Sequence, residues 1–182
     1  MAKVTINGEM IEAKAGENLL ALARRNASHI WFVCDGRGLC QTCECRVLSG
    51  SENLSAPSDL ELNALSESRR RGGYRLACQT TVEEQGRVEV ISVAEELRRQ
   101  IAALITPSNA ASWGESLGRF INQFSRFAFE FAASLPYSAV KAVPQLLSMP
   151  PDIPGMQRYV RDTQRITERV LTHPQARTKE KK

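Results

Sequence analysis

Four thiols set the terms on which this chain can fold. The stretch 34-CDGRGLCQTC-43 places Cys34, Cys40 and Cys43 close together with Gly36 and Gly38 between them, and Cys78 follows after 34 further residues. Three sulfurs on a short irregular loop, with a fourth from a distant strand, suit an iron–sulfur rhomb. The loop wraps the cluster and the remote ligand ties it to the fold. Thiolates are soft enough to hold ferric iron bridged by sulfide, and four of them complete two tetrahedra. Glycines without Cβ atoms let the backbone pass close to inorganic sulfide and turn N–H groups toward it, which favours the added negative charge of a reduced centre.

Three other uses of clustered cysteines compete. A structural zinc site usually comes as two C-x2-C knuckles, and only Cys40 and Cys43 form one here. Disulfides need an oxidising compartment. MAKVTINGEMIEAK shows no charged region followed by an apolar run, and no run of about eighteen apolar residues offers a membrane span, so a reducing, cytoplasmic setting without secretion is expected. A thioredoxin-type pair opens a helix, whereas QTCECRVL reads as extended. The fifth thiol, Cys45, alternates with Glu44 and Arg46 on a strand and reads as a small core residue.

The neighbouring segments predict a compact α+β unit. Val4 and Ile6 alternate with polar residues up to an Asn7-Gly8 turn, and Met10-Ile11 resumes the strand of a hairpin. Leu19, Leu20 and Ala23 share a helical face. Residues 45–48 read as a strand. Ser58 and Glu61 have capping-box spacing, so a short helix should start at Asp59 with Leu62 and Leu65 inward. YRLACQTTV and RVEVISV complete the strands, ending near residue 93. Arg69-Arg70-Arg71 reads as a solvated charge run, and His29 and Trp31 read as packing residues.

C-x5-C-x2-C with a remote cysteine inside RLACQT resembles the adrenodoxin-like branch of the 2Fe–2S ferredoxins, over about residues 2–93. The resemblance implies a β-grasp fold and one 2Fe–2S cluster cycling one electron. It carries the ligand role to Cys34, Cys40, Cys43 and Cys78, with Gly36 and Gly38 lining the cofactor. It also implies an electron carrier that is not an enzyme, served by a redox partner protein. Such carriers typically dock partners through an acidic helix before the last cysteine. Here Asp59, Glu61 and Glu67 are followed by three arginines, which departs from that pattern.

Beyond residue 93 the character changes. Residues 1–95 hold 11 Lys and Arg against 13 Asp and Glu, and residues 96–182 hold 13 against 7, so the parts carry about −2 and +6. Residues 94–182 read as a helical extension. Val93, Leu97, Ile101, Leu104 and Ile105 repeat at helical spacing up to Thr106-Pro107. Trp113, Leu117, Phe120, Ile121, Phe124, Phe127, Ala128, Phe131 and Leu135 form one apolar stripe, with Phe129 off it. A proline-rich connector follows at about 136–154, then a helix over roughly 156–171 and a charged tail. In that last helix Arg158, Arg161, Arg165 and Arg169 share a face opposite Tyr159, Val160, Ile166 and Val170.

The stripe over 113–135 and the basic helix over 156–171 suit peripheral binding to a lipid monolayer or membrane surface, or a homo- or hetero-assembly. Packing on the first domain, or on a protein partner of a soluble carrier, is the plainer alternative. Nothing points to nucleic acid. A ferredoxin domain joined to an amphipathic region also resembles the ferredoxin-like envelope proteins of chlorosomes, the monolayer-bounded light-harvesting bodies of green bacteria. ASHIWFVCDGRGLCQTC and LSGSENLSAP carry that likeness. It implies a peripheral position on a membrane or chlorosome envelope and a redox-dependent role in energy transfer.

Overall fold

The computed structural model describes residues 2–83, 86–105, 113–125, 128–129, 132 and 153–172. Alternation builds the sheet. In β1 (Ala2–Ile6), Ala2, Val4 and Ile6 turn inward, and β2 (Glu9–Ala13) pairs with it antiparallel through the Asn7-Gly8 turn. Helix α1 (Leu19–Arg25) begins where the Asn18 side chain accepts the amides of Leu20 and Ala21, and it buries Leu19, Leu20, Leu22 and Ala23. After the thiol loop come β3 (Glu44–Ser49), a 3-10 turn at Ser51–Asn53, and the short helices α2 (Asp59–Ala64) and α3 (Glu67–Arg71). The strands β4 (Tyr74–Leu76) and β5 (Arg87–Ser92) finish a five-stranded sheet of order β2-β1-β5-β3-β4. Only β1 and β5 run parallel, and α1 belongs to the same core as Val4, Ile6, Val88 and Val90. A mixed sheet grasping one helix is the β-grasp layout.

Four expectations need correction. Leu62 is exposed, because α2 turns Glu61 inward with Leu65 while Leu62 faces solvent. Arg69 is no solvated charge: it is buried, forks onto the carboxylate of Glu44, and lies 4.1 Å over the Tyr74 ring. Only Arg71 of that triplet is fully exposed, paired with Glu67. Cys78 does not sit in a strand. β4 stops at Leu76, where Thr80 Oγ1 and the Gln79 amide both donate to the Leu76 carbonyl and turn the chain. Val93, read both at the end of the last strand and at the head of the helical repeat, belongs to the helix alone, and β5 ends at Ser92.

That helix, α4 (Val93–Ile105), starts where Ser92 Oγ accepts the Glu95 amide, and it buries Val93, Ala94 and Leu97. Helical residues 113–125 (α5) meet α4 through Gln123, which bonds to Glu96 and Gln100, while Ser116 is buried. Helix α6 (Ile153–Thr172) lies against α1, with Ile166 in the core and Tyr159 and Val170 packed on it. The connector up to residue 152 and the tail lie outside the described residues. Among the described residues no helix is long and apolar enough to cross a membrane.

Candidate metal centre

The loop from Phe32 to Glu44 folds back on itself through four residues at positive φ: Asp35, Gly36, Gly38 and Gln41. Gly38 is the tightest of these. A Cβ there would come within 3.1 Å of both Gln79 Nε2 and Leu60 Cδ1. The two non-glycine residues, Asp35 at φ 52° and Gln41 at φ 56°, hold a conformation that L-residues adopt at a cost of about 1–3 kcal/mol, a strain that clusters at functional sites.

That folding brings the expected thiols together in two pairs. Cys34 neighbours Cys40, whose Sγ accepts the Cys34 amide at 3.3 Å, and Cys43 neighbours Cys78. Among the described residues no three ligating groups converge as on a single ion. Two thiols at each of two positions is a donor set for two metals. The remote partner is held in place by the fold. Asn18 Nδ2 donates to the Cys78 carbonyl at 2.7 Å, and the Ala77 amide donates to the Cys43 carbonyl at 3.1 Å. Glu61, fully buried, accepts from Arg75, from the Leu76 amide and from Thr80 Oγ1, locking α2 to the turn that carries Cys78.

Electrostatics divide the thiols, lowering one of each pair and raising its partner. The Cys34 thiol is lowered to about 5, first by the hydrogen bond from Cys40 and then by the amides of Leu39, Cys40 and Arg37, against a desolvation cost. Cys40, donor of that bond, is raised. Cys78 is lowered by Cys43, by Gln79 and by the Gly38 amide, and Cys43 is raised in turn. Thr42 Oγ1 lies 3.0 Å from the Cys40 sulfur while accepting the Val33 amide at 3.1 Å, and the Cys34 amide donates to Cys40 Sγ at 3.3 Å. Amides and hydroxyls directed at sulfur are the surroundings a bound iron–sulfur group requires, so the residues present fit one.

Cys45 stands apart. Buried on β3, it donates to the Arg75 carbonyl at 3.7 Å, and desolvation pushes its thiol up, so it stays protonated. His29 is held by the Glu95 carboxylate at 3.0 Å, and the half-exposed Trp31 meets the His29 ring edge-on. Sequence reasoning missed Asn18, Thr42 and Gln79, and saw Glu61 as a cap and a surface acid, not as a buried anchor. Asn18 had a local signal, standing where an N-cap belongs before LLALA.

Residues 4–83 match the 2Fe-2S iron-sulfur cluster binding domain. The chain is 39% identical over 104 residues to chlorosome protein J of Chlorobaculum tepidum, covering 57% of this chain and 46% of that protein. It is 38% identical over 96 residues to chlorosome protein I of the same organism, covering 53% and 39%. The match therefore spans less than half the length of either relative. Against the 2Fe-2S ferredoxin of Escherichia coli K12 it is 32% identical over 80 residues, 43% of this chain and 72% of that protein.

Proposed function

The chain belongs to the 2Fe–2S ferredoxin family and is an iron–sulfur electron carrier; from that premise we propose that Cys34, Cys40, Cys43 and Cys78 hold its cluster, that it is not an enzyme, and that α5 tethers it to a lipid surface. The observation that carries the ligand assignment is the folding that sets Cys34 beside Cys40, amide to sulfur at 3.3 Å, and Cys43 beside Cys78, with the Ala77 amide on the Cys43 carbonyl at 3.1 Å. The cluster supplies reversible one-electron transfer when bound. The chain's own work is to turn hydrogen-bond donors toward the sulfurs, which offsets the electron's charge. The amides of Arg37, Leu39 and Cys40 face Cys34, that of Gly38 faces Cys78, and the Thr42 hydroxyl faces Cys40. Cys45, spent on packing, takes no part.

The tether reading rests on which side of α5 is covered. The helix bonds to α4 through Gln123, while Trp113, Ile121 and Phe124 of the stripe are 45%, 56% and 51% exposed. Phe120 stacks on Phe124 with centroids 5.8 Å apart. Apolar and aromatic residues of the described stretch 113–125 left out of the core suit the boundary of headgroups and acyl chains; Phe127, Phe131 and Leu135 lie outside the described residues. The helix α6 is less free than its basic face suggested, since Arg165 and Arg169 are engaged with α1. The likeness to two chlorosome proteins makes a chlorosome envelope the setting we assign, with redox-dependent tuning of energy transfer as the role and a protein redox partner.

Flotation of the full chain with phosphatidylglycerol vesicles tests the tether. The wild type should rise with the vesicles, and Trp113→Ser with Phe124→Ser should weaken binding at least tenfold, since each buried aromatic contributes about 1.5–3 kcal/mol. A wild type left in the aqueous fraction would favour a soluble carrier whose α5 docks on protein.

A further inference from the structure

Helix α6 is fastened to the loop that carries Cys34, and one side chain makes the fastening. Arg24, on α1, is 15% exposed at its side chain. Its Nη1 donates to Asp35, the residue after Cys34, and its Nε donates to Asp162 on α6 at 2.9 Å, across 138 residues of sequence. The same guanidinium lies 4.6 Å from the Phe32 ring centroid, and Phe32 meets Tyr159 of α6 edge-on at 5.1 Å. Two further arginines seat α6 on the carbonyl end of α1. Arg165 donates to the Arg25 carbonyl, and Arg169 to the Asn26 carbonyl and to Glu9. Cations at a helix C-terminus complement its dipole.

Between α1 and α6 runs a cleft of about 450 Å³ whose walls include Gly36 and Cys78. Arg24, Arg25 and Arg158 line it, against Asp35 and Asp162, and Arg25 is also paired with Glu17. As a whole, α6 carries Arg158, Arg161, Arg165 and Arg169 against Asp162 and Glu168, a net charge of +2. A cationic helix therefore closes one side of the space next to Cys78.

We infer that docking of α6 and reduction of the cluster are coupled, with Arg24 as the positioning residue that joins them: α6 holds more tightly to the reduced protein, and its docking favours the reduced state. The inference rests on the ligand assignment above. An electron added at the cluster places one more negative charge beside a cleft where a net positive helix is held. The attraction is felt through partly desolvated walls, where screening is weaker than in bulk water. By linkage the two effects are equal in size. A fivefold tighter docking on reduction corresponds to a midpoint raised by about 40 mV, at 59 mV per tenfold for one electron.

The test is hydrogen–deuterium exchange of the amides in 156–171, on the full chain carrying its cluster, as isolated and after dithionite reduction, with midpoints measured alongside. Exchange in the wild type should slow about fivefold on reduction. Arg24→Gln should abolish that difference and lower the midpoint. Arg24→Lys keeps the charge but loses the fork onto two carboxylates, so it should lose the difference with a smaller fall in midpoint. Asp162→Asn, which lies outside the thiol loop, should also abolish the difference, and it carries the comparison if the Arg24 variants fail to fold. Equal exchange in the two redox states of the wild type overturns the coupling. A wild type without iron and acid-labile sulfide overturns instead the ligand assignment on which it rests.

Discussion

The sulfur of Cys40 has a side-chain neighbour as well as amides: the Thr42 hydroxyl lies 3.0 Å from it, steered by the Val33 amide on the hydroxyl oxygen. Thr42→Val removes that donor at nearly constant volume. It should lower the midpoint by the equivalent of about 1 kcal/mol in redox titration, with Thr42→Ser close to wild type. Glu95 sets a pH dependence away from the cluster. Burial would raise its carboxyl, but hydrogen bonds from Arg98, His29 and Arg99 outweigh that and hold it at about 2, below the ordinary 4.5. A lowered carboxyl contributes stability that is complete above about pH 4.5 and lost as pH falls toward 2. Acid unfolding followed by circular dichroism should steepen in that window, and Glu95→Gln should flatten it while costing about 2 kcal/mol at neutral pH. The cysteines were legible because C-x5-C-x2-C is a local pattern whose chemistry has few other uses. Thr42 was not, because a threonine between two of the thiols acquires its place beside Cys40 only when the loop closes and sets it under Val33.

Among the elements, α2 is where sequence and structure diverge most instructively. Its capping box forms as expected, with Ser58 and Glu61 bonding reciprocally. The inward position, however, goes to the capping glutamate itself, because the same carboxylate also answers Arg75, the Leu76 amide and Thr80. Periodicity over six residues could not foresee a buried charge whose partners lie 14 to 19 positions away. Glu61→Ala would strand Arg75 and the Leu76 amide. It should destabilise the fold by about 3–5 kcal/mol in urea unfolding and impair cluster retention, since the turn bearing Cys78 loses its anchor. The charge run at α3 misled for the same reason. Arg69 looks like its neighbours in sequence, and only the closed sheet places Glu44 and the Tyr74 ring beside it.

For the molecule as a whole, the first half announces itself through strand alternation and thiol spacing, whereas the extension reveals helices and not their seats. Nothing in a periodic arginine face says that Arg165 and Arg169 will clamp α1, or that Asp162 will reach Arg24. What unites the parts is the pairing of four thiols next to a docked cationic helix, and that pairing stands or falls on which sulfurs hold iron. Electron paramagnetic resonance of the reduced protein, with iron and acid-labile sulfide determined on the same samples, decides it for the wild type, Cys78→Ser and Cys45→Ser. We expect one unpaired electron per chain in the wild type, the same signal in Cys45→Ser, and loss or severe weakening in Cys78→Ser. A zinc-bearing, colourless wild type, or a signal lost in Cys45→Ser and kept in Cys78→Ser, would contradict the assignment of Cys34, Cys40, Cys43 and Cys78.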